Sequence, residues 1–365
     1  MTFRTKRQEA MAMRIEVWAD VVCPWAYIGK RRLEKALADP ALAGIDAEVV
    51  WRPLRIDPAA PAQATPLVEL GSTPSMGAAP DRRAAGFPPS RDLGQVAQIA
   101  AEEGFGPQWG AVWRADSHDA HRLAFLAYEH GGSALQDQVV EQLMKAHFLD
   151  GADISDPRRL HGIAARSGYP DTAAPLDTDC ADRGVRELLL IGKARSIVTS
   201  PSVVVGDRAL AGAQPTDVIV DFLTAAEGVS TRDMPEEVRR LRWSESLLGQ
   251  RDALGALTLL QPLLDAHADD LNVRRLAARG YFHSAQLSRA VDVLRHLVAD
   301  APDDSYARLM LGRTLQRLGR AEEAAVHLKV AAAMTPEFAS TANASTSAID
   351  SPHARRPWAN RRMSP

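Results

Sequence analysis

Polar and apolar residues alternate near the start of the chain, and this alternation predicts a strand that leads into a helix. Residues 14–18 read RIEVW, which has the period of two that is typical of a half-buried strand. A Cys23–Pro24 pair follows, and proline suits the first helical position because its missing N–H would have no partner there. We therefore expect ordered structure to begin near residue 13, after a loose extension over 1–12.

The next two hundred residues predict a mixed α/β unit that is interrupted by helices. β-branched and aromatic residues mark its strands, while proline, glycine and serine mark its loops. In chain order the expected elements are a strand (46–56), a long loop (57–90), a helical stretch with breaks near 104–107, 131–132 and 150–151 (91–168), a helix (178–192), a β-hairpin (202–210) and a closing helix (215–226).

Beyond a polar linker at 227–236 the sequence repeats itself with a period of 34 residues. Ala256, Ala290 and Ala324 recur at this spacing, and leucines recur with them at 260, 294 and 328. Small residues at a fixed point let two helices approach closely, so the period predicts three tetratricopeptide-like repeats over 237–338. A generic helical bundle with accidental periodicity is the alternative. Residues 339–365 are rich in Ser, Thr, Asn, Pro and Arg, which predicts a disordered tail.

Composition and charge narrow the class of protein. The 365 residues favour two or three domains, and 46% hydrophobic with 24% charged residues is typical of a soluble globular protein. The net charge of −3 argues against nucleic acid as a partner, and no apolar run is long enough to cross a membrane. Two cysteines cannot form a disulfide framework, and the basic start of the chain is not followed by the apolar segment of a signal peptide. We therefore expect a cytoplasmic protein.

Cys23 is the residue that most clearly suggests chemistry. A cysteine between a strand and a helix lies at the positive end of the helix dipole, which stabilises the nucleophilic thiolate. The alternative is a cysteine that acts as a small buried hydrophobe, since free cysteine is among the most buried residue types. The strand–Cys–Pro–helix order favours a functional thiol.

The sequence around Cys23 resembles the FrnE subgroup of the DsbA-like thioredoxin-fold family. Residues 20–31 read DVVCPWAYIGKR, where that subgroup carries Cys-Pro-Trp-Cys, and shorter stretches at 51–54, 119–123 and 212–215 also agree with it. The resemblance covers about residues 13–226. It implies a thioredoxin fold with a helical insertion at about 91–192, followed here by the all-α repeat array, and thiol-disulfide chemistry in a cleft that includes Pro24 and Trp25.

The same resemblance implies a loop opposite the cysteine that contains a cis-proline. Pro201 is the expected cis residue, and Ser200 before it is expected to offer backbone groups to an extended substrate. Ser117 stands where the subgroup usually has asparagine near the cleft, and His121, together with His118, is a further candidate for the cleft. No spacing of cysteines or carboxylates supports a metal site, so we expect none.

The motif departs from its family at one decisive position. Ala26 replaces the second cysteine, so Cys23 has no partner within the motif to resolve a mixed disulfide. Cys180 is expected inside the 178–192 helix and is not expected to pair with it. The chain is therefore predicted to be an oxidoreductase with a single active-site cysteine. A small glutathione-like thiol would be its co-substrate, and no cofactor would be tightly bound.

Two other functions stay open, and the repeats suggest a partner. The thioredoxin-like part could be a relic in a non-catalytic adaptor, or it could be a thiol-dependent isomerase of a small aromatic substrate. Tetratricopeptide grooves commonly bind extended peptides, so an unknown protein or peptide is expected there. Arg240, Arg274 and Arg308 recur where such repeats more often carry a bulky apolar residue, which predicts a basic stripe for an acidic peptide.

Overall fold

A computed structural model of the protein describes residues 12–67, 93–169, 176, 178–227 and 234–341. The chain forms two compact units that divide between Met234 and Pro235. Most of the predicted extension (1–12), loop (57–90), linker (227–236) and tail (339–365) lies outside the described residues. The boundaries of these segments therefore stay predictions.

The first unit contains six strands and six α-helices among its described residues. The strands are β1 (Met13–Ala19), β2 (Ala47–Pro53), β3 (Thr65–Pro66), β4 (Trp113–Arg114), β5 (Ser202–Val205) and β6 (Arg208–Ala211). The helices are α1 (Pro24–Leu37), α2 (Leu93–Glu102), α3 (His118–Phe148), α4 (Pro157–Arg166), α5 (Asp182–Ala194) and α6 (Thr216–Ala226), with a 3₁₀ turn at Pro40–Leu42.

Four strands form one sheet in the order β2-β1-β5-β6. β1 runs parallel to β2 and antiparallel to β5, so that Val17 lies between Trp51 and Val203. β5 and β6 form the predicted hairpin, whose turn contains Gly206 at a φ of 58°. Most residues of β1 and all of β5 are buried because helices cover the sheet. This is the thioredoxin arrangement that the sequence resemblance implied.

The edge of the sheet at β2 is covered by the side chain of Gln136 on α3. Its amide oxygen accepts a hydrogen bond from the Trp51 N–H at 2.9 Å, and its amide N–H donates to the Trp51 carbonyl at 3.0 Å. The N–H and the C=O of Trp51 therefore both have hydrogen-bond partners on the side that faces away from β1, as they would next to another strand. The contact protects the edge strand, since open N–H and C=O groups could pair with another chain. It also attaches the helical insertion to the sheet.

The long helix α3 is bent at two glycines. Gly131 and Gly132 have φ, ψ of −134°, 17° and 67°, −162°, which are not helical values. The first half of α3 therefore lies beside the end of β1, while the second half carries Asp137 and Glu141 to α1. There both carboxylates contact Lys30, which is only 3% exposed. The predicted break at 131–132 is thus confirmed as a kink at which two helical segments meet.

Two local predictions were wrong. The helix expected from Thr178 begins at Asp182, because Ala181 adopts a left-handed conformation with φ of 66° that a helix cannot contain. Residues 65–66 and 113–114 were expected in a loop and in a helical stretch. They pair instead as the short antiparallel ladder of β3 and β4.

The second unit is a run of antiparallel helices with the predicted 34-residue period. Its helices are α7 (Glu236–Gly249), α8 (Ala253–Ala266), α9 (Leu271–His283), α10 (Leu287–Asp300), α11 (Ser305–Arg317), α12 (Ala321–Met334) and a short α13 (Phe338–Thr341). The repeating alanines 256, 290 and 324 are all at most 2% exposed. At Gly312 a Cβ would come within 2.6 Å of Leu328, so close helix contact requires small residues here. The tail predicted from 339 instead begins with the end of α13.

Candidate functional site

Cys23 lies immediately before the first residue of α1, as the sequence predicted. Its backbone is extended, with φ of −87° and ψ of 119°, and Pro24 occupies the first turn of the helix. The Cys23 thiol donates to the carbonyl oxygen of Ser200 at a distance of 3.4 Å between Sγ and O. The residue after Ser200 is Pro201, and the peptide bond between them is cis. The strand–Cys–Pro–helix segment and the predicted cis-proline loop therefore meet at one point.

The expectation that Cys23 would be a stabilised thiolate is wrong. The residue is only 4% exposed, and burial raises the pKa of its thiol to about 11. Hydrogen bonds from the Ser200 side chain and from the N–H groups of Ala26 and Trp25 lower this pKa, while the Asp20 charge raises it further. The helix start thus offers N–H donors to the sulfur, but the loss of hydration outweighs them.

Asp20 is a fully buried carboxylate that the sequence reasoning left without a role. Its Oδ2 accepts from the Ile56 N–H at 2.8 Å, and its Oδ1 lies 3.3 Å from His121 Nε2. Although burial opposes ionisation, the hydrogen bonds from His121, Ile56 and Ser117 hold the pKa of Asp20 below its usual range. A carboxyl group between a half-buried strand and the apolar pair Val21–Val22 needs buried donors, and this was the signal for it in the sequence.

Ser117 and His121 both hydrogen-bond to the Asp20 carboxylate. They are 2% and 5% exposed, and both come from the start of α3. His121 Nε2 also lies 3.2 Å from the carbonyl oxygen of Leu54. Because its two neighbours are both acceptors, this nitrogen carries the hydrogen. The predicted cleft residues are therefore interior supports behind Cys23.

The loop around Pro201 is held against both β1 and α1. The Ser200 hydroxyl accepts from the Asp20 N–H at 2.9 Å, which ties the loop to the end of β1. At Gly29, one turn beyond the motif, an added Cβ would lie 2.8 Å from Pro201 Cγ. The close approach of α1 to the loop thus depends on this glycine.

The remaining motif residues complete one wall of the site. Pro24 and Trp25 are half-buried, and the Trp25 ring packs against the core of the unit. Ala26 is completely buried, and its N–H donates to the Cys23 carbonyl at 3.0 Å. The position that holds a second sulfur in the resembling subgroup is therefore an apolar methyl group in the interior.

Cys180 and the remaining histidines of the helical insertion each have their own surroundings. Cys180 is exposed in the turn before α5, not inside the helix as expected, and both cysteines are free. His118 contacts Asp182 with 2.7 Å between Nε2 and Oδ1, and the His130 ring packs on Tyr169. His147 is 2% exposed and lies in the core.

The three repeating arginines contact nearby acidic side chains or turn carbonyls, and the basic stripe for an acidic peptide stays a prediction. Arg240 pairs with Glu236 at 2.8 Å, and Arg274 pairs with Asp269 and Asp300. The Nε of Arg274 donates to the carbonyl of Ala268, and the Nε of Arg308 donates to the carbonyl six residues before it, that of Pro302. Arg274 and Arg308 thus each bind the turn before their helix, whereas Arg240 pairs with Glu236 on its own helix.

The described ranges contain neither a metal-binding cluster nor a membrane-spanning helix. No cluster of three or more His, Cys, Asp or Glu side chains in these ranges could hold a metal ion. No helix among the same residues is both long enough and apolar enough to cross a membrane.

A helix-start thiol facing a cis-proline loop beside this four-stranded sheet defines the class of thioredoxin-fold proteins. A family model for the DSBA-like thioredoxin domain matches residues 14–224, which is more than half of the chain. The protein therefore belongs to the DSBA-like thioredoxin family. A second model, for a tetratricopeptide repeat, matches residues 247–308 in the helical unit.

Two solved structures are similar to part of this chain. A probable DsbA oxidoreductase from Streptomyces coelicolor, SCO1869, is 26% identical, with 61% of this chain and 93% of that chain covered and a TM-score of 0.50. A 2-hydroxychromene-2-carboxylate isomerase is 16% identical, with 58% and 94% covered and a TM-score of 0.41. No curated protein matches the chain.

Proposed function

We propose that this protein is a thiol-dependent oxidoreductase of the DsbA family that works with one cysteine, Cys23. The observation that carries the proposal is the 3.4 Å contact between Cys23 Sγ and the Ser200 carbonyl of the cis-proline loop. The contact supports the proposal because it brings the thiol of the motif to the backbone of the loop that is expected to bind an extended substrate. Membership of the FrnE subgroup stays a prediction.

The reaction that fits a single cysteine is exchange with a small thiol of the glutathione kind. The Cys23 thiolate attacks a disulfide, a new S–S bond joins Cys23 to one half, and the other half leaves as a thiolate that takes up a proton. Because Ala26 carries no sulfur, a second thiol from solution must release the adduct. The small thiol is then a co-substrate and not a bound cofactor.

The high pKa of the Cys23 thiol predicts how the rate of adduct formation depends on pH. Below a pKa of about 11, the thiolate fraction rises about tenfold for each pH unit. Adduct formation should therefore be slow at pH 7 and should accelerate steeply between pH 7 and 9. A stabilised thiolate would show almost no change over that range.

Intact mass spectrometry of the Cys180→Ser variant, incubated with glutathione disulfide, tests the proposal. We expect one added glutathione, which peptide mapping assigns to Cys23, and a rate that increases with pH. The Cys23→Ser, Cys180→Ser double variant is the matched control and should add none. A folded Cys180→Ser protein that adds no glutathione at pH 9 would contradict the proposal.

One observation favours a second candidate, a non-catalytic adaptor. Cys23 is 4% exposed, and burial raises the pKa of its thiol, as expected for a cysteine that acts only as a core residue. In that case the repeat unit would carry the function by binding a protein or peptide, as tetratricopeptide repeats commonly do. Absence of any adduct at every pH would support this function. A thiol-dependent isomerase stays a prediction.

A further inference from the structure

Three hydrogen bonds join Asp20, Cys23 and Ser200 into a closed ring. The Cys23 N–H donates to the Asp20 carbonyl at 3.0 Å, and the Asp20 N–H donates to the Ser200 hydroxyl at 2.9 Å. The Cys23 thiol completes the ring through its 3.4 Å contact with the Ser200 carbonyl. A shift of any one of these residues would strain its bonds to the other two. The backbone of Asp20 therefore helps to fix the thiol at the cis-proline loop.

The carboxylate of Asp20 attaches this ring to two segments that are distant in sequence. Its Oδ2 accepts from the Ile56 N–H at 2.8 Å, just beyond β2. Ser117 and His121 donate to the carboxylate from the start of α3. Each of these donors favours the ionised form of the carboxyl group. The interior behind Cys23 therefore holds a negative charge at a fixed place.

This charge opposes the effect of the helix start on the sulfur atom. The positive end of α1 favours the Cys23 thiolate, as do hydrogen bonds from the N–H groups of Trp25 and Ala26. The carboxylate of Asp20 disfavours the thiolate, because like charges repel each other strongly where little water screens them. The Asp20 charge accordingly raises the pKa of the Cys23 thiol. Two local effects of opposite sign thus act on one sulfur atom.

Two histidines from α3 also act on Asp20. His121 comes from the first half of the helix and donates to the carboxylate, while His147 comes from the second half and interacts with the same charge. Burial lowers the pKa of His147 to about 4, so its ring is neutral at pH 7. His147 therefore does not cancel the charge of Asp20 near neutral pH.

We propose that Asp20 is a positioning residue that holds Cys23 as a thiol: its backbone sets the place of the sulfur atom, and its carboxylate opposes ionisation of that atom. This role of Asp20 rests on the proposed function, because it concerns the reactivity of the same cysteine. The helix start and the cis-proline loop then keep the geometry of a thiol site, while one buried charge lowers its reactivity at neutral pH.

Nuclear magnetic resonance with ¹³C-labelled cysteine measures this effect without any disulfide substrate. In the Cys180→Ser background the one cysteine Cβ signal comes from Cys23, and its shift reports ionisation of the sulfur atom. Asp20→Asn removes the charge at nearly constant volume, so the thiol pKa should fall by about one unit or more. Asp57→Asn is the matched control, since Asp57 is another buried carboxylate and pairs with Arg114 at 2.7 Å. It should leave the thiol pKa unchanged.

A second control separates charge from packing. Ser117→Ala removes a donor from the same carboxylate but keeps its charge, so it should not lower the thiol pKa of Cys23. An unchanged thiol pKa in folded Asp20→Asn, or an equal fall in Ser117→Ala, would overturn the proposal. Asp20→Ser, which places no amide N–H against the donors, is the alternative variant. Loss of folding in both Asp20 variants would make Asp20 purely structural and would also overturn the proposal.

The adduct assay with glutathione disulfide distinguishes this role from the proposed function. If both hold, Asp20→Asn should form the Cys23 adduct about tenfold faster at pH 7, because the thiolate fraction rises tenfold for each unit of pKa. A lower thiol pKa without any adduct would contradict the proposed function and leave the role of Asp20 intact. An adduct that forms at the same rate in parent and variant, with an unchanged thiol pKa, would support the function and overturn the role of Asp20.

Discussion

Cys23 and Ala26 occupy the two positions at which a two-cysteine motif carries its sulfur atoms, and both are buried at the start of α1. A second thiol at position 26 would supply the missing resolving cysteine, because the helix and the proline are already in place. In a Cys180→Ser background, Ala26→Cys should form a disulfide with Cys23 under mild oxidation. It should also lose any trapped glutathione adduct and gain dithiol activity in an insulin-reduction assay.

Ala36→Cys is the matched control for that experiment, since Ala36 is also completely buried on α1 but lies thirteen residues from Cys23. It should leave two free thiols after the same oxidation. If Ala26→Cys also keeps two free thiols, the geometry of the site differs from that of a two-cysteine motif, and the adaptor function gains support.

His147 should make the first unit sensitive to mild acid. Burial lowers the pKa of this histidine from 6.5 to about 4, even though the charges of Asp20 and Asp153 oppose the shift. The unfolded chain takes up a proton near pH 6.5 and the folded chain only near pH 4, so the unfolded state binds more protons between these values. Stability from this residue is complete above pH 6.5, and a few kcal/mol should be lost as the pH falls to 4.

Chemical denaturation at several pH values measures this effect. His147→Gln should flatten the pH dependence of the free energy of unfolding between pH 6.5 and 4. His130→Gln, at an exposed position, serves as the control and should keep it. An unchanged slope in the His147 variant would show that another group is responsible.

At the residue scale, the sequence located the cysteine and several of its neighbours but not the burial of the thiol. Cys23, Pro24 and Pro201 could be found because a strand, a proline and a family motif mark them. The raised pKa of Cys23 could not, since burial depends on segments distant in sequence, such as 199–201. Asp20 is the first residue of the 20–31 motif, but its hydrogen-bond donors come from Ile56, Ser117 and His121. These residues are far apart in sequence, so no local pattern predicts that they meet.

At the scale of elements, the contact between α1 and the cis-proline loop is the most sensitive packing detail near the site. Gly29→Ala would bring a Cβ to 2.8 Å from Pro201 Cγ and 3.5 Å from Ala213 Cβ. Overpacking costs about 1–3 kcal/mol, whereas alanine gains up to about 1 kcal/mol in helix propensity. We expect a net destabilisation of about 1 kcal/mol and a lower melting temperature.

Gly94→Ala provides the comparison on another helix, because no atom lies within 4 Å of its added Cβ. It should leave the melting temperature unchanged or slightly raised. Equal effects of the two substitutions would mean that the loop moves freely away from α1.

Sequence patterns predicted most elements because their periods are local. The alternation in β1, the proline before α1 and the 34-residue repeat each signal structure within a short window. The β3–β4 ladder could not be predicted, because two residues are too few for a period and their partners lie about fifty residues apart. The late start of α5 depends on one left-handed residue, Ala181, which has no distinctive side chain.

At the scale of the whole molecule, the division between Met234 and Pro235 predicts two independently folding parts. A chain that ends at Glu227 contains the whole sheet and the closing helix α6, so it should be soluble and should unfold cooperatively. Its melting temperature should match one transition of the full chain in calorimetry. A single transition in the full chain, together with an insoluble shortened chain, would contradict this prediction.

In the second unit, the hydrogen bonds of Arg274 and Arg308 to the turns before their helices affect how the number of repeats can change. Asp270 and Asp304 each cap the first helix of a repeat, and Arg274 and Arg308, four residues later, each bind the preceding turn. A 34-residue segment thus brings its own start signal and its own fastening to the turn before it. When one such segment is duplicated or deleted, this arginine–turn bond can form again at the new junction, because both of its partners recur at the same spacing. The number of repeats can vary while the thiol unit stays unchanged.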